Sequence, residues 1–241
     1  MTNPVYKIRR IYKNGPSGIT APKFCTMNAI LKSDNDTVAL HCVYNEKTAS
    51  NLAQTLHIPN ADGVLTDAVG KLAYASLEIA NPKIPLPNLR PSWFKMAAEK
   101  YPEQASALVA FDILIGNADR CGNLKASLFT PSENIFVAFD HSHALYYPWA
   151  TQIDSIAALK SVELIVEEHP FYGCISRDTL WRWCKRIADT PDYLIKECCE
   201  FGKPINTVDM RSQEKMAWAL IYRKNHLLEI IKRNEYIIRW K

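Results

Sequence analysis

No stretch of this chain is long and apolar enough to cross a bilayer, which takes about 20 consecutive apolar residues. The longest candidate, around Ala105 to Ile115, is interrupted by Asp112. The opening residues Met1 to Arg10 lack the apolar core of a secretory signal. The seven cysteines, at 25, 42, 121, 174, 184, 198 and 199, form no CxxC pair and no Cys/His cluster of zinc spacing. Their odd number argues against a closed disulfide framework and for reduced, buried thiols. Internal repeats and low-complexity segments are missing as well. These absences point to a soluble, cytoplasmic protein with no membrane partner.

What is present fits an ordinary globular protein of one large domain or two small lobes: 241 residues, 48% apolar and 22% charged. A net charge of +4 is mild. It suits anionic ligands such as nucleotides without indicating nucleic acid. Trp181 and Trp183 beside Arg182, Lys185 and Arg186 read as core plus an exposed basic helix face, so nucleic acid is not counted among the partners.

Residues 1–80 read as strands and turns around one short helix. Tyr6–Tyr12 is the first expected strand, followed by the turn Asn14-Gly15-Pro16-Ser17-Gly18. Phe24–Leu31 and Thr37–Tyr44 are β-rich runs expected to form a hairpin, the second with both faces apolar. Asn45 is expected to cap a helix through about Leu56. Val64–Leu65 and Lys71–Ile79 supply two further short strands. The four prolines between residues 81 and 91 mark a connector. From residue 92 to 241 the character is helical, with helices expected over Pro102–Ile115, from Asp178 or Thr179 to Ile187, and onward from about Ser212. The fold class is α+β: a small β-rich N-lobe, a proline-rich linker and a larger helical C-lobe.

The chemistry concentrates in one block. An apolar helix ends at Gly116, and a polar loop then presents Asn117, Asp119, Arg120 and Asn123. Two strands, Leu124–Phe129 and Ile135–Phe139, form a hairpin that ends at Asp140-His-Ser-His143. Folding the hairpin brings the loop before it to the residue after it, so Asp119, Asn123 and Asp140 can converge. Phosphoryl transfer needs such a set: one carboxylate for the attacking hydroxyl, and a carboxylate and an amide oxygen for Mg²⁺. His141 and His143 could suggest zinc, but no third or fourth ligand stands near them. Asp112, mid-helix among apolar residues, reads as a buried hydrogen-bonding group behind the loop.

Asp112-Ile-Leu-Ile-Gly-Asn-Ala-Asp-Arg120, then Gly122-Asn-Leu124 and Val137-Ala-Phe-Asp-His-Ser-His-Ala144, resemble the HipA-like and phosphoinositide-kinase-like branch of the protein kinase superfamily. That branch carries an I-G-N-x-D-R-H-x-x-N loop and an I-D-H-G-H metal element. More weakly, Leu56-His-Ile-Pro59 is similar to the family's L-G-L-P. The resemblance implies a two-lobed protein-kinase-like fold and an ATP/Mg²⁺-dependent Ser/Thr kinase acting on a protein or on itself. It implies Asp119 as catalytic base and Asp140 and Asn123 as metal ligands, with Asn117 and Arg120 completing the catalytic set. Ser17 and Gly18 would cover the phosphates, Glu46 would pair with a phosphate-binding lysine, and backbone groups of Glu78, Ile79 and Ala80 would meet adenine. An antitoxin-like regulatory protein is a further partner that the resemblance raises.

Two departures stand out. The loop has only Cys121-Gly122 between Asp-Arg and Asn, one residue fewer than the family pattern. The run Thr37–Tyr44, expected to carry the ATP-anchoring lysine, has none; His41 stands near the place, and Lys32 or Lys47 could reach across. Both departures keep a pseudokinase acting as a protein-interaction module as the alternative. A metal-dependent hydrolase using Asp119 and Asp140 is a more distant third.

Overall fold

The computed structural model describes residues 6, 8–12, 15, 22–35, 38–68, 70–81 and 84–241. Strands β1 (Ile8–Ile11) and β2 (Cys25–Met27) pair antiparallel. Strand β3 (Ala29–Lys32) belongs to a second antiparallel sheet with β4 (Gly63–Ala68) and β5 (Lys71–Leu77), in the order β3-β5-β4. Helix α1 (Cys42–Leu56) packs on β4 and β5. Period-two alternation puts Ile30 and Lys32 on one face with their register partners, Ser76 and Tyr74. Tyr74 is buried in the main core, so this is the face that α1 covers.

After the prolines come α2 (Phe94–Lys100), α3 (Pro102–Ile115) and the hairpin strands β6 (Leu124–Ala126) and β7 (Phe136–Ala138). Helices α4 (Gln152–Leu159), α5 (Arg177–Ala188), α6 (Asp192–Cys199), α7 (Met210–Arg233) and α8 (Glu235–Ile238) complete the chain. Pro102 opens α3 where its missing N–H costs nothing, and the helix is buried along almost its whole length. Gly116 closes it at φ 67, and a Cβ there would stand 2.1 Å from the Tyr147 hydroxyl. The long α7 is fastened by Arg223, which is fully buried and donates to the carbonyls of Ile113, Ser161 and Glu163. Among the described residues no helix is long and apolar enough to cross a membrane.

Three sequence expectations fail. Thr37–Tyr44 is not a strand: residues 38–41 are turn and bridge, and α1 already begins at Cys42. The reason is tertiary. Asp34 Oδ1 accepts the Val43 N–H at 2.8 Å and caps the helix from outside its own sequence neighbourhood. The apolar run looked two-sided because α1 is enclosed between the sheet and α6. Phe24–Leu31 is also two strands with different partners, β2 on β1 and β3 on β5. The helix was expected to start at Asn45, which instead lies inside its first turn.

Candidate active site

Of the three side chains the sequence offered in place of the missing strand lysine, His41, Lys32 and Lys47, it is Lys32 that meets both Glu46 and Asp140. Lys32, the last residue of β3, places its Nζ 2.6 Å from Glu46 Oε1 on α1 and 2.8 Å from Asp140 Oδ1. Glu46 Oε1 also accepts the backbone N–H of His141 at 2.9 Å. One lysine and one glutamate thus join the sheet, the helix and the end of the β6–β7 hairpin. His41 is not part of this group. Its ring is buried, its Nδ1 bonds Thr207 Oγ1 at 3.0 Å, and its edge meets Tyr146. Lys32 therefore stands where His41 and Lys47 were weighed as substitutes.

The cluster holds one positive charge against two carboxylates. Burial alone would push the Lys32 ammonium down, but Glu46 and Asp140 raise it. Burial works to raise Asp140, yet Lys32 and the Ser142 hydroxyl hold it well below the usual carboxylate range. Glu46, more deeply buried, is pushed up to about 7 against the pull of Lys32. Asp140 is the carboxylate that stays ionised, and Glu46 is the first to take a proton. Asp140 sits at φ 60, a left-handed conformation that Asp tolerates better than most residues. Its Oδ1 accepts the Ser142 Oγ–H at 2.7 Å.

The β6–β7 hairpin is held by a buried ionic network. Asp112 receives Arg120 Nε at 2.8 Å and Arg120 Nη2 at 2.9 Å, Asn117 Nδ2 at 3.0 Å and His169 Nε2 at 3.1 Å. His169 Nδ1 accepts the Phe171 N–H, so its proton is on Nε2 and the ring is a neutral donor. Burial would raise the Asp112 carboxyl, but Arg120 and these donors keep it far below its ordinary value. Arg120 Nη1 reaches on to the carbonyls of Asn123 (2.9 Å) and Phe139 (2.8 Å). A single guanidinium therefore fixes the end of the loop against the end of β7, with the Asn123 carbonyl beside that of Phe139.

Asn117 and Arg120 were expected among the catalytic residues, but both are fully buried behind the loop. Asn117 accepts the Asp119 N–H at 3.3 Å and Arg120 donates to the Asn123 carbonyl, so the contacts of both run to the loop that carries Asp119 and Asn123. Asp119 itself is open, with 49% of its side chain exposed, and its Oδ2 lies 3.5 Å from His143 Nδ1. The short loop closes through Gly122 at φ 85, and Asn123 Nδ2 donates to Asp119 O at 2.8 Å. His141 is buried against Phe111, and burial, with Arg120 nearby, lowers its ring to about 3. Among the described residues no three His, Cys, Asp or Glu side chains gather as a metal cage. Asp140 and Asn123 instead offer hard oxygen donors of the kind Mg²⁺ takes alongside phosphate and water.

At the other end of the cleft, Glu78 is tied to Asn28 by its N–H (3.0 Å) and its side chain (2.8 Å). Ile79 is buried in a bridge to Tyr6, and Ala80 is half-buried at the exit from β5. The Glu78 amide is thus already engaged. Ser17 and Gly18 lie outside the described residues. Sequence reasoning missed two contributors. Ile30 is exposed on the Lys32 face of β3, which the i, i+2 spacing would have shown once the strand was assigned. Asn45 donates to the carbonyls of Ser142 and Tyr146 and accepts the Tyr146 N–H; no local pattern announces that role.

No protein-family model and no curated protein sequence matches the chain. Solved structures do. It aligns with the Helicobacter pylori proinflammatory kinase CtkA at a TM-score of 0.60 and 14% identity, over 95% of this chain and 97% of that one. It also aligns with HipA of Shewanella oneidensis MR-1, solved with HipB and operator DNA, at a TM-score of 0.58 and 15% identity. That alignment covers 88% of this chain and 61% of HipA. The chain therefore has the two-lobed fold of the HipA-like kinases.

Proposed function

We propose that the chain is an ATP- and Mg²⁺-dependent kinase that phosphorylates a Ser or Thr hydroxyl of a polypeptide, its own included. The observation that carries this reading is Lys32, shared between Glu46 and Asp140 at 2.6 and 2.8 Å. A phosphate-binding lysine fixed by a helix glutamate, next to a metal-binding aspartate, is the arrangement that phosphoryl transfer requires. Asp140 and Asn123 would hold magnesium, which neutralises phosphate charge when bound. Lys32 would meet the nucleotide phosphates and Ile30 the apolar face of the base. Asp119 would take the proton of the acceptor hydroxyl, with Asn117 and Arg120 holding its loop. The missing strand lysine and the shortened loop favour a pseudokinase, and the position of Lys32 beside Glu46 and Asp140 weighs against the first of these.

Transfer of labelled γ-phosphate from Mg-ATP, to the chain itself and to added polypeptide, tests the proposal. Asp119→Asn should lower transfer by about 10²–10⁴-fold, the usual share of a positioned base, while keeping the Mg-ATP thermal shift. Lys32→Ala should lose both. Undiminished transfer in Asp119→Asn and Asp140→Ala would overturn the kinase reading. A nucleotide-induced shift with no transfer to any acceptor would favour the interaction module.

A further inference from the structure

The Asp140 carboxyl is bonded through one of its two oxygens. Lys32 Nζ lies 2.8 Å from Oδ1, the Ser142 Oγ–H donates to the same oxygen at 2.7 Å, and the Ser142 N–H reaches it at 3.3 Å. Oδ2 receives no donor among the described residues. The backbone that presents the Ser142 hydroxyl is itself tied down. The His141 N–H goes to Glu46 Oε1 and the Ser142 carbonyl accepts Asn45 Nδ2, each at 2.9 Å. Lys32 divides its protons between Asp140 and Glu46, whereas the hydroxyl has one proton and gives it to Asp140. Serine stands here where the I-D-H-G-H pattern has glycine, so the pattern does not supply this hydroxyl.

We propose that Ser142 makes Asp140 a one-oxygen metal ligand and so sets the cation preference of the site, for Mg²⁺ over Ca²⁺. The inference rests on the kinase reading, in which Asp140 and Asn123 hold the metal, and names a residue that selects it. A carboxylate can give a cation one oxygen or both. Ca²⁺ takes about six to eight oxygens in loose geometry and accepts both from one carboxylate. Mg²⁺ demands near-octahedral positions, which the narrow bite of a two-oxygen carboxylate fits poorly. Turning Oδ1 onto a cation as well would pull it from the Ser142 hydroxyl, and that hydroxyl has no second acceptor among the described residues. Lys32 holds the same oxygen, but on the kinase reading it also meets the nucleotide phosphates. Ser142 is thus a positioning residue that acts through Asp140.

The test reads Mn²⁺ binding by electron paramagnetic resonance, on the full chain with a non-hydrolysable ATP analogue, and titrates in Mg²⁺ or Ca²⁺ as competitor. The pH is held at 8, where Glu46 is largely ionised and offers Asp140 no proton. Wild type, Ser142→Ala, Ser142→Gly and Ser142→Thr are compared. Ser142→Ala and Ser142→Gly should narrow the preference for Mg²⁺ over Ca²⁺ about fivefold, the worth of one hydrogen bond to a charged group, chiefly by tightening Ca²⁺. Ser142→Thr keeps the hydroxyl and should keep the wild-type ratio. A merely structural role would instead weaken all three cations together. That uniform loss, a ratio unchanged in both Ser142→Ala and Ser142→Gly, or Ser142→Thr behaving as Ser142→Ala overturns the proposal. Each of these leaves the kinase reading standing, because γ-phosphate transfer is measured separately. No Mn²⁺ bound by wild type in the presence of the nucleotide overturns both.

Discussion

Asn45 and Tyr146 exchange two hydrogen bonds: Asn45 Nδ2 donates to Tyr146 O at 2.9 Å, and Tyr146 N donates to Asn45 Oδ1 at 3.2 Å. The same amide group reaches Ser142 O at 2.9 Å. One fully buried side chain thus satisfies backbone groups on both sides of His143 and ties them to α1. Asn45→Ala would leave these groups buried and unpaired, at about 1–3 kcal/mol for each group left without a partner. Urea denaturation should show a loss of about that size or more. A midpoint within error of wild type would mean that the segment finds other partners.

The Glu46 carboxyl, raised by burial from 4.5 to about 7, gives an acid limb to nucleotide binding. As pH falls through about 7, Glu46 takes a proton and no longer holds Lys32 as a charged partner, so Mg-ATP affinity should fall. Stability follows the opposite sign. A folded-state value above the unfolded one means that this group favours folding most below 4.5 and loses that contribution as pH rises through about 7. Asp140, depressed in the fold, contributes in the other direction, and its share is lost toward acid. Glu46→Gln should bind Mg-ATP about tenfold more weakly at pH 8 and show no limb near neutrality. A limb at the same place in Glu46→Gln would assign it to another group.

Asp112 and Arg120 form a fully buried pair. Removing one partner strands the other charge, which costs about 3–5 kcal/mol. Asp112→Ala should lose that much in denaturant titration, and Asp112→Asn less, since the amide oxygen still accepts one donor. Stability retained within about 1 kcal/mol in Asp112→Ala would show that Arg120 had found water, against the burial argument.

A loop from the C-lobe straps the segment that precedes α1. Asn206 Nδ2 donates to Asp34 Oδ2 at 2.9 Å and to Leu72 O at 3.0 Å, and Thr207 Oγ1 meets His41 at 3.0 Å. Asp34 in turn caps α1. Asn206 sits at φ 47, so Asn206→Gly keeps the backbone conformation and deletes only the side-chain link. Amide exchange over residues 38–46 should quicken by about tenfold, and Mg-ATP should bind a few-fold more weakly. Unchanged exchange there would show that Asp34 holds the helix without help.

Where a local signal settled an element, the sequence was sufficient. Pro102 at the start and Gly116 at the end fixed α3, and the turn between Phe129 and Ile135 fixed the hairpin whose register pairs Leu124 with Ala138. The buried role of Asp112 was legible because a carboxylate inside an apolar helix needs donors. Where a distant residue decided, local reading failed. Asp34 caps a helix that begins inside a run rich in β-formers, and with that run read as a strand the choice among His41, Lys32 and Lys47 stayed open. Helix α4 was missed although Thr151-Gln-Ile-Asp154 is a capping pattern, and the Thr151 side chain accepts the Asp154 N–H at 3.1 Å.

The guanidinium of Arg120, bonded to the carbonyls of Asn123 and Phe139, also bears on the missing loop residue. It acts as a gauge block between two strand ends. The Asn123 and Phe139 carbonyls are held together by one rigid planar group, whatever the number of residues the chain uses to travel from Asp119 to Asn123. A turn can be shortened there, with Gly122 absorbing the bend, while the backbone of Asn123 stays fastened to Phe139, the residue before Asp140.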